Sequence, residues 1–414
     1  MKLKNGKYSG LSFSCNIFAI VILFKSLKLL FDMKFWYKFF FLPILIFALV
    51  GCSDDEHESV SLSQYKARDG EVTQLQKHTI GKGVPIIIMC DGITDKDITN
   101  GVYRQATTWA LEGLFSVHPM KSLRDYFDVY EVTAACYPNQ STRTDGDSII
   151  YYDNDVSIDI GRYEDIALGV IGEERYDDVT TIVLRDEECY SCAFISPSDS
   201  DYYADIPTGY SCAYVAIPFG EGLQKDLTEF YENCIRSTLL HEAIGHGFAK
   251  LADEYVEEVL KGDDYDSEKM WVQEWQEYGY YRNISFDSDV TKTYWADFAA
   301  DSRYDFEKLG CYEGGNYREK GVYRPTERGI MSTSDCVFHV FGRSMIYKRC
   351  MKIAYGDSWK FNYEDFVKFD LEKAKAEYQA YAKRSPSFST FQRLGAPPRF
   401  VDCVSRLRTI KTTK

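Results

Sequence analysis

The stretch Leu239-Leu240-His241-Glu242-Ala243-Ile244-Gly245-His246-Gly247-Phe248-Ala249-Lys250-Leu251-Ala252-Asp253-Glu254-Tyr255 decides how the rest of the chain reads. Two histidines, a glutamate beside the first, a glycine before the second and an acidic pair seven and eight residues on are the parts of a hydrolytic metal site. Neutral imidazoles hold zinc, and a carboxylate completes three protein ligands. The fourth position stays open for a water whose pKa falls to about 7. Glu242 is placed to take that water's proton.

The spacing departs from the usual H-E-x-x-H helix, because His241 and His246 stand five apart. At about 100° per residue, an i,i+4 pair is offset by about 40°, whereas an i,i+5 pair is offset by about 140°. A regular α-helix therefore points these rings apart. One residue accommodated as a π-bulge, with an i→i+5 hydrogen bond, returns them to one face, and Gly245 permits it. The competing geometry takes Glu242 and His246, a true i,i+4 pair, as ligands and leaves His241 behind them.

The run His246-Gly247-Phe248, Leu251 and Asp253-Glu254-Tyr255 resembles the IgA-peptidase family of zinc metallopeptidases, whose helix continues G/A/S-F-x-x-L-x-D-E-Y after its second histidine. The resemblance implies Glu242 as catalytic base, His241 and His246 as zinc ligands, and an acidic third ligand placed at Asp253, with Glu254 in reserve. It covers residues 80–350. The implied fold is a zincin-like, metzincin-like α/β (α+β) metallopeptidase, with a mixed-sheet upper lobe, a metal-binding helix, and a mostly helical or irregular lower lobe carrying a Met-turn.

Composition fits that class. The 414 residues are 45% apolar and 27% charged, enough to bury a large core. Net charge is −15, and since residues 1–51 carry seven lysines and one aspartate, the chain from Cys52 onward stands at −21. Such a surface repels phosphates, and with no basic stripe nucleic acid is excluded as a partner. Tyrosine is abundant, at 32 residues, which suits peptide or sugar contacts and equally plain packing.

Residues 33–52 begin basic, run through the short apolar core Phe39 to Val50 and end in small residues. That is a signal-peptide pattern, too short for a membrane span. Leu49-Val50-Gly51-Cys52 resembles a bacterial lipobox, which implies lipidation of Cys52, an outer-membrane lipid as partner and a surface lipoprotein. Ser53-Asp54-Asp55-Glu56 resembles a lipoprotein surface-export signal, a plain acidic linker being the alternative. Met33 marks the expected start. The expected organisation is a leader over 1–51, a lipidated tether over 52–80, a catalytic domain over 81–360, and a C-terminal helix and tail over 361–414.

Along the domain, Val84 to Asp91 is an apolar run closed by an Asp-Gly turn and predicts a buried strand. Residues 96–117 predict an amphipathic helix with Val102, Ala106, Trp109, Ala110 and Leu114 on one side. Strands follow at 127–135 and 179–184. Residues 212–217 are a candidate for the sheet edge to which an extended substrate adds, an ordinary core strand being the alternative. The metal helix is expected from Lys225 or Asp226. Residues 256–300, with Trp271, Trp275 and Trp295, read as a variable insertion beside the cleft.

Glu313-Gly314-Gly315 and Gly321-Val322-Tyr323-Arg324-Pro325 are shared with the resembling family, ahead of Ile330-Met331. By that resemblance Met331 is the Met-turn residue under the metal, and Tyr323 is a candidate donor to the reaction's oxyanion. A helix beginning near Arg343 packs on this floor. Of 12 cysteines, ten lie beyond the leader and anchor; Cys189-x-x-Cys192 reads as a disulfide or two thiols before it reads as a metal site. Among six histidines, His339 is an alternative third ligand or a buried structural residue.

These readings predict a zinc endopeptidase that acts, as a monomer, on a protein or peptide substrate. A zincin-fold surface binding protein without turnover, for a protein or glycan ligand, and a zinc amidohydrolase of cell-wall peptides remain the alternatives.

Overall fold

The computed structural model describes residues 70–91, 98–134, 150–152, 155–157, 160–185, 191–198, 205–216, 236–257, 264–333, 337–382 and 398–400. The leader, Cys52, most of the tether, Cys189 and the expected start of the metal helix lie outside them. Among the described residues no helix is long and apolar enough to cross a membrane.

The strand predicted from Val84 is the spine of the fold. β1 (Val72–Gln76), β2 (Val84–Asp91), β3 (Phe127–Val132), β6 (Thr180–Arg185), β7 (Cys192–Ser196), β8 (Tyr210–Ala216) and β11 (Arg399–Phe400) form a mixed sheet in the order β1-β3-β2-β6-β8-β7-β11. β3, β2, β6 and β8 run parallel, whereas β1 and β7 are antiparallel to their inner neighbours. A small hairpin of β4 (Ile150–Tyr152) and β5 (Asp155–Ser157) stands apart.

Every residue of β2 is buried because both sheet faces are covered, the arrangement that makes parallel strands continuously apolar. Ile86, Ile88 and Cys90 point into one core, and Ile87 and Met89 into the other. Over the first face lies α1 (Val102–Leu114), with Ala106, Ala110 and Leu114 inward as their spacing predicts. Tyr103 ties it down. Its hydroxyl donates to Val132 O (2.6 Å) and accepts from the N–H groups of Cys90 (2.9 Å) and Ala134 (3.1 Å), using its one donor and both lone pairs. Over the second face lies α2 (Ile160–Ile171).

Beyond the sheet the chain is mainly helix and irregular structure: α3 (Tyr265–Glu277), the hairpin of β9 (Tyr312–Gly315) and β10 (Arg318–Arg324), α4 (Val340–Tyr355) and α5 (Tyr363–Ala382). Asp264 caps α3 by accepting from the N–H groups of Asp266 and Ser267. The fold is thus mixed α/β with a mixed sheet, as expected.

Three expectations change. β8 is an interior strand between β6 and β7, so it is not the free edge; strand order depends on crossovers that alternation along one strand cannot reveal. The first helix is regular only from Val102, because Gly101, at φ 83°, breaks it from Ile98 and Thr99. Trp295 is fully buried in the main core, so residues 256–300 supply core as well as surface.

α4 is fixed by a buried ionic network. Arg343 donates to Asp370 at 2.7 and 2.8 Å and to Glu307 at 2.5 Å, while His118 Nε2 meets Asp370 at 2.8 Å. Burial alone would raise the Asp370 carboxyl, but the Arg343 guanidinium and then His118 hold it well below the usual carboxylate range. Its contribution to stability is therefore present above the unfolded value of about 3.9 and is lost as pH falls below that. Asp370→Asn should cost about 3 kcal/mol at neutral pH and flatten the acid limb of the stability curve, measured by urea unfolding between pH 3 and 7.

Candidate metal centre

The irregular histidine spacing is absorbed by a π-helix spanning Leu240–Phe248, all of it buried. Ala249 N–H donates to Ile244 O at 2.8 Å, an i→i+5 bond, so that five residues make roughly one turn. His241 and His246 consequently share a face, their ring centroids 4.6 Å apart and their planes at 87°. The bulged two-histidine geometry holds, and the Glu242/His246 ligand pair does not.

Each ring is aimed by its other nitrogen. His241 Nδ1 donates to Ile330 O at 2.9 Å and His246 Nδ1 to Leu251 O at 2.7 Å. A carbonyl can only accept, so the proton of each neutral ring sits on Nδ1 and each Nε2 presents a lone pair. Both lone pairs meet Asp253 Oδ1, at 2.9 and 3.2 Å. With both rings neutral, three acceptors at such distances repel one another unless a cation lies among them. A tetrahedral ion with bonds of about 2 Å spaces its ligands by roughly 3.3 Å, close to these separations. His246 Nε2 and Asp253 Oδ1 have no hydrogen-bond partner, and the three ligand atoms lie within 4.8 Å of one another. The residues fit a metal ion.

Asp253 reaches the rings because the chain turns sharply after the π-helix. Lys250 takes φ 56°, ending the helix, and its buried side-chain nitrogen donates to Gly209 O at 3.0 Å. Asn283 then clamps the next segment, its side chain accepting from Ala252 N (2.7 Å) and donating to Ala252 O (2.9 Å) and Glu254 Oε1 (2.8 Å). Tyr317 donates to Asp253 Oδ2, and the Tyr255 ring lies 6.4 Å from the His241 ring. Burial alone would lift the Asp253 carboxyl, and positive charge on the side of His246 and His241 more than offsets that. Burial and the Asp253 charge push the Tyr317 hydroxyl well up, so it remains a donor.

Glu254 and His339 do not join the cluster. His339 Nδ1 accepts from Gly342 N–H, capping α4, and its Nε2 donates to Glu254 Oε1 at 2.7 Å. This pair is structural, and the acidic group that converges with the two histidines is Asp253. Glu242 is fully buried beside the cluster with neither carboxylate oxygen hydrogen-bonded, and burial, then the Asp253 charge, push its carboxyl well up.

Met331 packs against the π-helix at Gly245. A Cβ at Gly245 would lie 2.3 Å from its Sδ, so the bare glycine lets the sulfur approach the π-helix backbone. Tyr323 lies on β10 with its backbone paired to Ser285, and a hydroxyl that meets the cluster is that of Tyr317. Asn283 and Tyr317 carry no spacing signal toward the histidines. Only the Gly-Gly-Asn turn beside Tyr317 hints that this backbone is special.

Compared with known proteins, the chain matches no family model and no curated protein sequence.

Gly245→Ala should displace Met331 and cost about 1–3 kcal/mol by overpacking. In a double-mutant cycle with Met331→Ala, followed by thermal unfolding, the two losses should be less than additive, because the added methyl then has room.

Proposed function

We propose that this chain is a zinc-dependent endopeptidase with a zincin-like fold, held at a bacterial outer-membrane surface through an acylated Cys52. The observation that carries the reading is the convergence of two Nε2 lone pairs and one Asp253 oxygen, a cation site of three protein ligands, next to a buried glutamate with no other partner. Three ligands leave one tetrahedral position for chemistry. The lipobox-like Leu49-Val50-Gly51-Cys52 supports the location.

His241, His246 and Asp253 would hold the ion, their orientation set by the Ile330 and Leu251 carbonyls and the Tyr317 hydroxyl. When bound, zinc would polarise the scissile carbonyl and lower the pKa of a water to about 7. With the charge of a bound ion offsetting the rise that burial and Asp253 impose, Glu242 would take a proton from the water that attacks the carbonyl carbon. It returns the proton to the amine nitrogen as the C–N bond breaks, which leaves the carboxylate as it began. Met331 and Ile330 keep the histidine side of the site apolar.

One observation favours a second reading. His241, Glu242, His246 and Asp253 are each at most 1% exposed, and closed zinc sites are typically structural. The alternative is a metal-stabilised surface binding protein without turnover.

The two readings part on Glu242. The peptidase should carry one equivalent of zinc by elemental analysis and cleave an unstructured protein such as casein. Glu242→Gln should retain the zinc and lose about 10²–10⁴-fold in kcat. Zinc retained with no cleavage by the wild type would favour the structural centre, and a wild type that takes up no zinc would remove both.

A further inference from the structure

Tyr317 sits where a tyrosine is a poor conformational choice. β9 and β10 are joined by the two-residue turn Asn316-Tyr317, with Gly315 paired to Arg318 across it, and both turn residues have positive φ, 45° and 67°. That is the primed hairpin geometry, which favours Asn at its first position and Gly at its second. Asn316 obeys the rule. Tyr317 brings a Cβ into the left-handed region that glycine enters freely.

The surrounding contacts hold this tyrosine against the segment that carries the acidic ligand. Asn316 N–H donates to Asp253 O (2.9 Å), Tyr317 N–H to Tyr255 O (3.0 Å), and Glu257 N–H to Tyr317 O (2.9 Å). The turn is zipped onto residues 253–257. The ring is 8% exposed and packs edge-on against Tyr255, centroids 5.4 Å apart. Its hydroxyl donates to Asp253 Oδ2, while Oδ1 faces the two histidine nitrogens. A carboxylate gripped at one oxygen presents the other in a single orientation. Glycine in the turn would relieve the backbone and leave that grip unmade.

We propose that Tyr317 is a positioning residue for the metal centre: its hydroxyl fixes the Asp253 carboxylate so that Oδ1 is presented to the ion, and the strained turn is retained to deliver that hydroxyl. The proposal rests on the reading of His241, His246 and Asp253 as a zinc site. Groups that orient a metal ligand in this way are worth about 10–100-fold in metal affinity.

The test uses the full-length chain and zinc itself, with affinity read by competition against a chromophoric chelator and ligand geometry read from the visible spectrum of the cobalt-substituted protein. Tyr317→Phe keeps ring, packing and turn, and removes only the hydroxyl. It should weaken zinc binding at least about tenfold and alter the cobalt spectrum. The control is Tyr103→Phe, which removes an equally buried hydroxyl between α1, β2 and β3. It should lower the melting temperature and leave zinc affinity and the cobalt spectrum unchanged. Zinc binding by Tyr317→Phe equal to wild type overturns the positioning role. An equal loss in Tyr103→Phe also overturns it, because the effect would then report general destabilisation. A wild type that binds no zinc overturns the underlying metal reading.

Discussion

Two imidazole lone pairs and a carboxylate oxygen held against one another in a buried core form the constraint on which this structure depends. Each is an acceptor, and burial removes the solvent that would otherwise separate them. The surrounding residues maintain the conflict. Ile330 O and Leu251 O keep the ring protons on Nδ1, Asn283 locks the chain on either side of Asp253, and Tyr317 grips its second oxygen. Such an array has a physical rationale when a cation is its intended occupant.

The other described histidines show what satisfied rings look like in the same fold. His118 meets Ser122 and Asp370 with its two nitrogens, and His339 meets Gly342 N–H and Glu254. His78 pairs with Asp128 at 2.7 Å. In each case protein groups of matching polarity complete the ring. His246 differs: its Nε2 faces only another acceptor. Matching polarity, more than burial, separates structural histidines here from metal-site ones.

The π-helix links that chemistry to the fold. A regular helix with this sequence would turn one histidine toward the sheet and the other away. Widening the turn keeps Leu240, Ala243, Ile244 and Phe248 in the main core while both imidazoles leave by the same side. Gly245 serves the same end from below, since the absent side chain is where Met331 sits. The segments that meet at the centre come from residues 241–254, 283, 317 and 330–331, so the site exists only when the π-helix and the irregular lobe pack together.

Local pattern was enough to make the central strand, the body of the first helix, and the histidine pair with its bulge legible in the sequence. Each is set by periodicity or by spacing within a few residues, where backbone geometry leaves few options. Asp253 was placed ahead of Glu254 by the family resemblance and not by spacing, because adjacent residues in non-helical chain point in opposite directions and only the partner of each, Tyr317 or His339, shows which way. Asn283 and Tyr317 escaped notice because their contacts span 29 to 64 residues. The interior place of β8 and the burial of Trp295 likewise depend on which elements come to lie alongside. Short-range stereochemistry thus determined which groups could bind an ion, and long-range packing decided which of them meet.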